Sequence, residues 1–326
     1  MQTRTLGAGG LVVSAIGLGC IGLSQGYGHA DDAESLILLQ RAIDLGVTLW
    51  DTAQSYGAGH NEELIGKAIA GRRGKVQIAT KFGIVRGPDG PSLDGRPDKV
   101  RGYCEASLRR LGTDYIDLYY LHRVDPAVPI EETIGAMADL AAAGKIKHLG
   151  LSECNSEQLE RASSVHTITA LQLEWSLWWR EPEDDVIPAA RRLGVSVVPY
   201  SPLGRGFLTG QALPETFTAG DFRGGDPRFS GSARQRNLEV MAELQSLASE
   251  LQITPPQLAL CWLLARGKDV VPIPGTRHGQ RLAENALAAD IQVSQANLER
   301  IDALAGRGEW SGDRSFAAIH TKRRDV

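Results

Sequence analysis

Residues 31–51 read DDAESLILLQRAIDLGVTLWD and contain one complete helix-to-strand unit. Asp31 is a residue type that caps helix N-termini, and apolar residues follow it at helical spacing. Gly46 is the type of residue that ends a helix. The apolar run Val47–Trp50 then predicts a strand, and Asp51 stands at its end.

The same alternation recurs along the whole chain. Helical stretches separate short apolar runs, and this order favours parallel strands joined by right-handed crossovers. Eight such units are the number in a closed (β/α)8 TIM barrel, and a doubly wound open sheet is the alternative within the α/β class. The predicted strands are Ala15–Leu18, Val47–Trp50, Val76–Thr80, Ile116–Leu121, Ile146–Gly150, Ile168–Leu173, Val195–Pro199 and Val270–Ile273.

Two further segments complete a single predicted barrel domain over residues 1–326. Thr3–Leu6 and Leu11–Val13 flank a glycine-rich turn, which predicts an N-terminal β-hairpin capping one end of the barrel. Residues 204–232 are too long and too rich in glycine for an ordinary connection. We expect them to form a long loop over the C-terminal face.

One motif favours the open sheet when taken alone. Residues 17–22 read GLGCIG and match G-x-G-x-x-G, which binds dinucleotides when a helix begins at once. No helix is credible here before Asp31, so we interpret the motif as a turn. This interpretation favours the closed barrel.

Composition and charge exclude several classes of protein. Hydrophobic residues make up 42% and charged residues 23%, as in ordinary globular proteins. The net charge is −4 with no basic stretch, which argues against nucleic-acid binding. Neither a signal peptide nor a membrane-spanning run is evident, so we expect no membrane partner and a cytoplasmic location. The four cysteines are too far apart for a metal or redox motif, and we expect buried thiols and no metal.

Polar side chains stand at the ends of three consecutive predicted strands. Asp51 ends the second strand, Lys81 the third and His122 the fourth, and Tyr56 follows in the loop after Asp51. Chemistry in such barrels takes place at the C-terminal ends of the strands, so these side chains can converge. Each residue alone could be a turn residue or a packing residue, but together they indicate a site.

This combination has a chemical logic. A phenol has a pKa of about 10, and a neighbouring lysine ammonium lowers that pKa. A carboxylate keeps the lysine charged, and a histidine can orient a substrate oxygen. The set can therefore donate a proton to an oxygen that gains negative charge, such as a carbonyl oxygen receiving a hydride. The hydride must come from a cofactor, because no side chain carries one.

At this point the chain resembles the aldo-keto reductases over essentially its whole length. The matching blocks are Ile16–Gly19, Asp51–Gly57, Thr80-Lys81, Leu121-His122, Gly150–Ser152, Gln172, Tyr200–Gly204, Ile273–Thr276, Arg281 and Glu284-Asn285. The resemblance implies a catalytic tetrad of Asp51, Tyr56, Lys81 and His122, with Tyr56 as the general acid. It also implies NADPH bound across the top of the barrel. The segment 20–28 and the Ser152-Glu153 pair resemble the branch that includes pyridoxal reductases and perakine reductase.

The resemblance also implies which residues bind the cofactor. Gly19 belongs to this set. By this resemblance, the nicotinamide amide is bound by Ser152 and Gln172, and its ring stacks on Tyr200. The pyrophosphate is expected to contact Ser201, Leu203, Gly204 and Arg205. The 2′-phosphate is expected near Thr276, Arg277 and Arg281, and the adenine near Glu284 and Asn285. Many family members have asparagine where this chain has Glu153. A carboxylate cannot donate a hydrogen bond to the amide oxygen, so Glu153 departs from the pattern.

Aromatic residues near the strand ends suggest a substrate pocket. Trp178 follows the sixth strand and Tyr27 the first, and we predict that both line the pocket, with ordinary packing as the alternative. An aromatic wall suits aromatic or hydrophobic small-molecule carbonyls. The aromatic residues Phe207, Phe222 and Phe229 of the long loop could close over it.

Two functions of different classes follow. The first is an NADPH-dependent reductase of aldehydes or ketones. The second is a cofactor-bound regulatory subunit like the auxiliary subunits of potassium channels, which share the family's fold and tetrad. The predicted barrel begins within the first ~20 residues, so we expect no channel-docking extension and favour the enzyme.

Overall fold

The computed structural model describes residues 1–87, 90–214 and 216–314. Residues 315–326 of the predicted domain lie outside the described residues. The strands are β1 Thr3–Leu6, β2 Leu11–Ser14, β3 Leu18–Gly19, β4 Leu49–Asp51, β5 Gln77–Phe82, β6 Ile84–Gly87, β7 Gly90–Leu93, β8 Ile116–Leu121, β9 Ile146–Ser152, β10 Ile168–Glu174 and β11 Ser196–Tyr200. The α-helices are α1 Asp32–Asp44, α2 His60–Ile69, α3 Pro97–Leu111, α4 Ile130–Ala142, α5 Ser156–Val165, α6 Val186–Arg192, α7 Gly231–Glu250, α8 Pro255–Ala265, α9 Gly279–Leu287 and α10 Gln295–Leu304.

Seven parallel strands form a nearly closed barrel in the order β3-β4-β5-β8-β9-β10-β11. The predicted eighth strand, Val270–Ile273, is not a regular strand, although it fills the remaining gap. Val271 N donates to Val197 O at 2.9 Å on one side, and Gly17 N donates to Pro272 O at 2.9 Å on the other. Pro272 and Pro274 have no N–H group, so this segment cannot form a continuous ladder. The predicted (β/α)8 barrel is confirmed.

The barrel interior is a core distinct from the layer between strands and helices. Alternate strand residues point inward, among them Leu118 and Tyr120 of β8, whereas Tyr119 packs outward against the helices. A Cβ on Gly150 would lie 2.4 Å from the Tyr120 ring, so the glycine leaves room for that ring. Tight interior packing fixes the strand register and therefore the level at which each strand ends.

The predicted N-terminal hairpin is confirmed as β1 and β2. Leu6, Leu11 and Val13 belong to the same cluster as the interior barrel residues. The hairpin therefore seals the N-terminal end of the barrel, and the opposite end is left for the site.

Local sequence signals set several helix ends. The Asp31 carboxylate accepts from Glu34 N at 2.9 Å, as an N-cap residue does. Thr254 and Gln257 form a capping box at the start of α8. The G-x-G-x-x-G segment contains β3 and a short 3-10 turn, and α1 begins only at Asp32. Its interpretation as a turn is confirmed.

Two excursions cover the C-terminal face. The hairpin of β6 and β7, which sequence analysis did not predict, lies between β5 and α3. The predicted long loop crosses from β11 to α7, and its Phe222 N donates to Gly26 O at 3.0 Å. The Phe222 ring also packs edge-on against Tyr27, with 6.2 Å between centroids. The loop thus contacts the segment after β3 across the face.

Candidate active site

The period of two along each strand explains how the polar residues converge. Leu49, Ala79, Tyr120, Ala170 and Val198 point into the barrel. The next inward position on each strand, two residues later, carries a polar or aromatic side chain at the C-terminal rim. These rim residues are Asp51, Lys81, His122, Gln172 and Tyr200.

Lys81 is the centre of the predicted tetrad. Its Nζ lies 2.5 Å from Asp51 Oδ1, 2.7 Å from Thr52 O and 3.2 Å from Tyr56 Oη. The Lys81 side chain is completely buried. The ammonium therefore holds the carboxylate and the phenol on either side of it.

Asp51, Tyr56 and His122 form one wall of a large cavity, whereas Lys81 lies behind them. The rings of Tyr56 and His122 meet edge-on, with centroids 5.8 Å apart and an interplanar angle of 78°. A substrate oxygen at this wall can contact the phenol and the imidazole together. The structure thus brings all four predicted catalytic residues together.

Burial and neighbouring charges act in opposite directions on the pKa of Tyr56 and on that of Lys81. Burial raises the pKa of Tyr56 above its ordinary value of 10.0, and Lys81 only partly offsets that rise. Burial alone would lower the pKa of Lys81, but Asp51 and Tyr56 together raise it. The phenol is therefore protonated and the lysine charged at neutral pH, which are the states a proton donor and its support require. Lys81 lowers the pKa of the phenol, as the sequence predicts, but burial outweighs that effect and the net pKa is raised.

The cavity has a volume of about 1010 Å³ and extends from the tetrad to α9. All but one of the predicted cofactor residues line it: Gly19, Ser152, Gln172, Tyr200, Ser201, Leu203, Arg205, Thr276, Arg277, Arg281, Glu284 and Asn285. Tyr27, predicted for the substrate pocket, also lines it. One continuous cavity is therefore lined by Asp51, Tyr56 and His122 at one end and by these predicted cofactor residues along the rest of it.

Strained backbone along this cavity fits an anionic ligand. Ser201 and Arg205 have φ of 49° and 55°, which non-glycine residues rarely adopt, and Gly206 has φ of 95°. Such left-handed turns direct backbone N–H groups toward an anion, and strain of this kind clusters at functional sites. Arg277 and Arg281 add positive charge farther along the cavity. The residues present fit a long ligand that carries phosphate groups both near residues 201–205 and near Arg277 and Arg281.

Two predicted placements require correction. Trp178 does not line the cavity. It is buried against Phe207 and Phe229, with ring centroids 4.5 and 5.1 Å away. Gly204 does not line the cavity either. It packs against Trp178, since a Cβ there would come 2.6 Å from that ring.

Two of the predicted arginines border the cavity but direct their guanidinium groups elsewhere. The Arg205 guanidinium lies 3.6 Å from Glu174 and 3.7 Å from Asp226, so its charge faces the interior although the residue borders the cavity. Arg277 precedes α9, and it donates to His29 O. Arg281 lies within α9 and is exposed.

Sequence analysis missed two contacts in the site. Gln172 Nε2 donates to Asp51 Oδ2 at 2.7 Å, so Gln172 also fixes the tetrad carboxylate. Arg123 lines the cavity and donates to Ser152 Oγ at 3.0 Å. Its position directly after His122 was the available signal for Arg123. The Gln172 contact joins strands 121 residues apart and left no local signal.

Within the described ranges, no group of three or more histidine, cysteine or acidic residues could hold a metal ion. No helix in the same ranges is long and apolar enough to cross a membrane.

Known proteins are similar to this chain in sequence and in fold. The sequence model of the Aldo/keto reductase family matches residues 15–305. A soybean (Glycine max) protein named probable aldo-keto reductase 1 is 43% identical over 322 residues, covering 98% of this chain and 93% of the soybean protein. The chain belongs to the aldo/keto reductase family and is therefore an oxidoreductase.

Solved structures support the same assignment. Glycerol dehydrogenase from Gluconobacter oxydans matches with a TM-score of 0.87 and 30% identity, over 97% of this chain and 99% of that one. An aldo/keto reductase from Klebsiella pneumoniae, solved with NADP and acetate, matches with a TM-score of 0.73 and 28% identity, over 94% of this chain and 96% of that one.

Proposed function

We propose that this protein is an NADPH-dependent reductase that converts aldehydes or ketones to alcohols. The contact of Lys81 Nζ with both Asp51 and Tyr56 at the wall of a long cavity carries the proposal. NADPH, when bound, supplies the hydride. The proposal treats residues 1–326 as one barrel domain and assigns the chain to the branch that includes pyridoxal and perakine reductases, on the Ser152-Glu153 pair.

The chain's own residues supply the proton and the orientation. His122 orients the carbonyl oxygen, and the Tyr56 phenol donates its proton as negative charge develops there. Lys81 stabilises the phenolate that remains, and Asp51 keeps Lys81 charged and directed. Gln172 holds the second carboxylate oxygen of Asp51.

The residues beside the tetrad indicate the substrate class. Tyr27, Ile84 and Pro91 form an apolar part of the cavity wall, and Trp178 does not contribute to it. We therefore propose aromatic or hydrophobic small-molecule carbonyls as substrates, with Tyr27 as the aromatic contact.

Steady-state consumption of NADPH with a panel of aldehydes tests the proposal. We expect turnover that depends on enzyme concentration and saturates with the aldehyde. Tight binding of NADPH without turnover of any aldehyde would favour the alternative, a cofactor-bound regulatory subunit.

The pH dependence of reduction follows from the half-buried phenol of Tyr56 at the cavity wall. A general acid is active while protonated, so activity falls as the pH rises through its pKa. Because the pKa of Tyr56 lies above 10.0, that loss begins only at high pH. We expect kcat at saturating NADPH to stay level from about pH 6 to about pH 9. A decline in kcat centred near neutral pH, with the fold intact by circular dichroism, would contradict this assignment.

Cofactor choice should depend on Arg277 and Arg281. The 2′-phosphate carries roughly −1.5 to −2 charges, whereas NADH has a hydroxyl group there. No acidic residue occurs between Val271 and Ala283. A hydrogen bond to a charged group contributes about 1.5–3 kcal/mol, so Arg281→Ala should weaken NADPH binding roughly 10- to 150-fold. NADH binding should barely change.

Fluorescence titration of both cofactors measures this preference. We expect Arg277→Ala to show the same selectivity with a smaller loss, because the Arg277 guanidinium also donates to His29 O. Equal losses for NADPH and NADH in both variants would mean that these arginines support the fold and do not recognise the phosphate.

A further inference from the structure

The segment after α10 reaches the catalytic face through Arg314. The side chain of Arg314 is only 11% exposed. Its guanidinium lies 2.7 Å from the Glu153 carboxylate and 3.0 Å from the Glu174 carboxylate, and it donates to Tyr200 Oη at 2.8 Å. These three partners stand at the C-terminal ends of three neighbouring strands, β9, β10 and β11. One guanidinium therefore joins them.

Glu153 is held in place and charged. Its Oε1 accepts from Glu174 N at 2.9 Å, and its backbone has φ of 54°. Burial alone would raise the pKa of Glu153, but Arg314 and Arg123 bring it below its ordinary value. A carboxylate therefore stands directly after Ser152 at neutral pH.

The two acidic partners of Arg314 differ in what else neutralises them. Glu174 also pairs with Arg228 at 2.8 Å, and its neighbouring arginines lower the pKa of Glu174 to about 2 against the effect of burial. Within the described part of the chain, Arg314 is the one cationic side chain within 4.0 Å of Glu153. Loss of Arg314 would thus leave Glu153 without an ion-pair partner and Glu174 still paired.

We propose that Arg314 is a positioning residue for the nicotinamide end of the cofactor: it anchors the Tyr200 ring and neutralises Glu153. The inference rests on the proposed function, which places the nicotinamide beside Ser152, Gln172 and Tyr200. The ion pair of Glu153 with Arg314 leaves little net charge directly after Ser152. This suits the reduced nicotinamide ring, which carries no charge. An unpaired carboxylate there favours the oxidised ring, which is positive.

Arg314→Met tests the proposal through binding constants instead of turnover. We expect the Kd for NADPH to rise about tenfold, since one charged hydrogen-bonding group is lost. The Kd for NADH should rise similarly, because the two cofactors share the nicotinamide end. NADP⁺ should lose less affinity, so the ratio of the NADPH Kd to the NADP⁺ Kd should rise about fivefold.

A double variant separates charge from anchoring. Glu153→Gln combined with Arg314→Met removes the unpaired carboxylate but leaves Tyr200 without its donor. We expect the ratio of the two Kd values to return to that of the wild type, while both Kd values stay raised.

Arg307→Met is the matched control. Arg307 ties the same C-terminal segment to Asp184 and Glu183 at a site that is 40% exposed, and neither partner lines the cavity, whereas the Tyr200 partner of Arg314 does. We expect all three Kd values to match the wild type in Arg307→Met. Thermal unfolding of each variant checks that the protein is folded.

Two results would overturn the inference. Unchanged Kd values in Arg314→Met would show that the contact does not reach the cofactor. A ratio of Kd values that stays raised in the double variant would show that Arg314 does not act through the charge of Glu153. Failure of the proposed function is distinct, because the wild type itself would then fail to bind NADPH or to reduce aldehydes.

Discussion

Tyr56→Phe is expected to lower kcat about 10²- to 10⁴-fold and to leave the Kd for NADPH nearly unchanged. The phenol donates its proton only as charge develops on the carbonyl oxygen, so its loss affects the transition state and not cofactor binding. The hydroxyl lies 3.2 Å from the Lys81 ammonium at the cavity wall, and no other phenol is held there by a lysine within the described residues. Steady-state kinetics beside a fluorescence titration with NADPH measures both quantities.

Tyr103→Phe is the matched control for this variant. The Tyr103 hydroxyl donates to Asp94 at 2.6 Å, away from the cavity wall, so its loss should leave kcat unchanged. A Tyr56→Phe enzyme that keeps more than about a tenth of the wild-type kcat would remove Tyr56 from the role of general acid.

Lys81→Met is expected to lower kcat as severely, although Lys81 need not transfer a proton. The change removes the charge that offsets burial of the Tyr56 phenol, and it leaves Asp51 unpaired beside that phenol. Both effects raise the pKa of Tyr56 further and destabilise the phenolate left after proton transfer. Breaking a buried ion pair also costs about 3–5 kcal/mol in the free energy of unfolding.

Two comparisons separate the catalytic effect of Lys81 from its effect on stability. Adding Asp51→Asn should recover much of the free energy of unfolding while kcat stays low. Lys147→Met, which breaks a half-exposed pair with Asp117, should leave kcat unchanged. A kcat close to the wild type in folded Lys81→Met would show that the electrostatic explanation is wrong.

Much of the fold was predictable because its signals are local. Asp31 caps α1 through its own side chain, and Thr254 does so for α8. The eighth strand was only partly predictable. Its apolar residues are strand-like, but Pro272 and Pro274 interrupt the ladder. The β6–β7 hairpin was missed because its strands are short and rich in glycine and proline, and its described residues pair with each other outside the barrel sheet.

The tetrad was predictable because side chains alternate along each strand and parallel strands end at the same rim. These two rules place Asp51, Lys81 and His122 together. The position of Trp178 was predicted wrongly. Its ring packs against Phe207 and Gly204, and these tertiary contacts cannot be inferred from the local sequence. The contact of Arg314 with Tyr200 spans 114 residues, and no local pattern could indicate it.

The most direct measurement of the central claim uses NADPH that carries deuterium at the transferable position of the nicotinamide. The wild-type protein is incubated with this cofactor and an aromatic aldehyde, and the product is analysed by mass spectrometry. The proposed function predicts an alcohol with one deuterium on the carbon that was the carbonyl carbon, formed in proportion to the NADPH consumed. Consumption of NADPH without deuterated alcohol, or no consumption with any aldehyde, would contradict it.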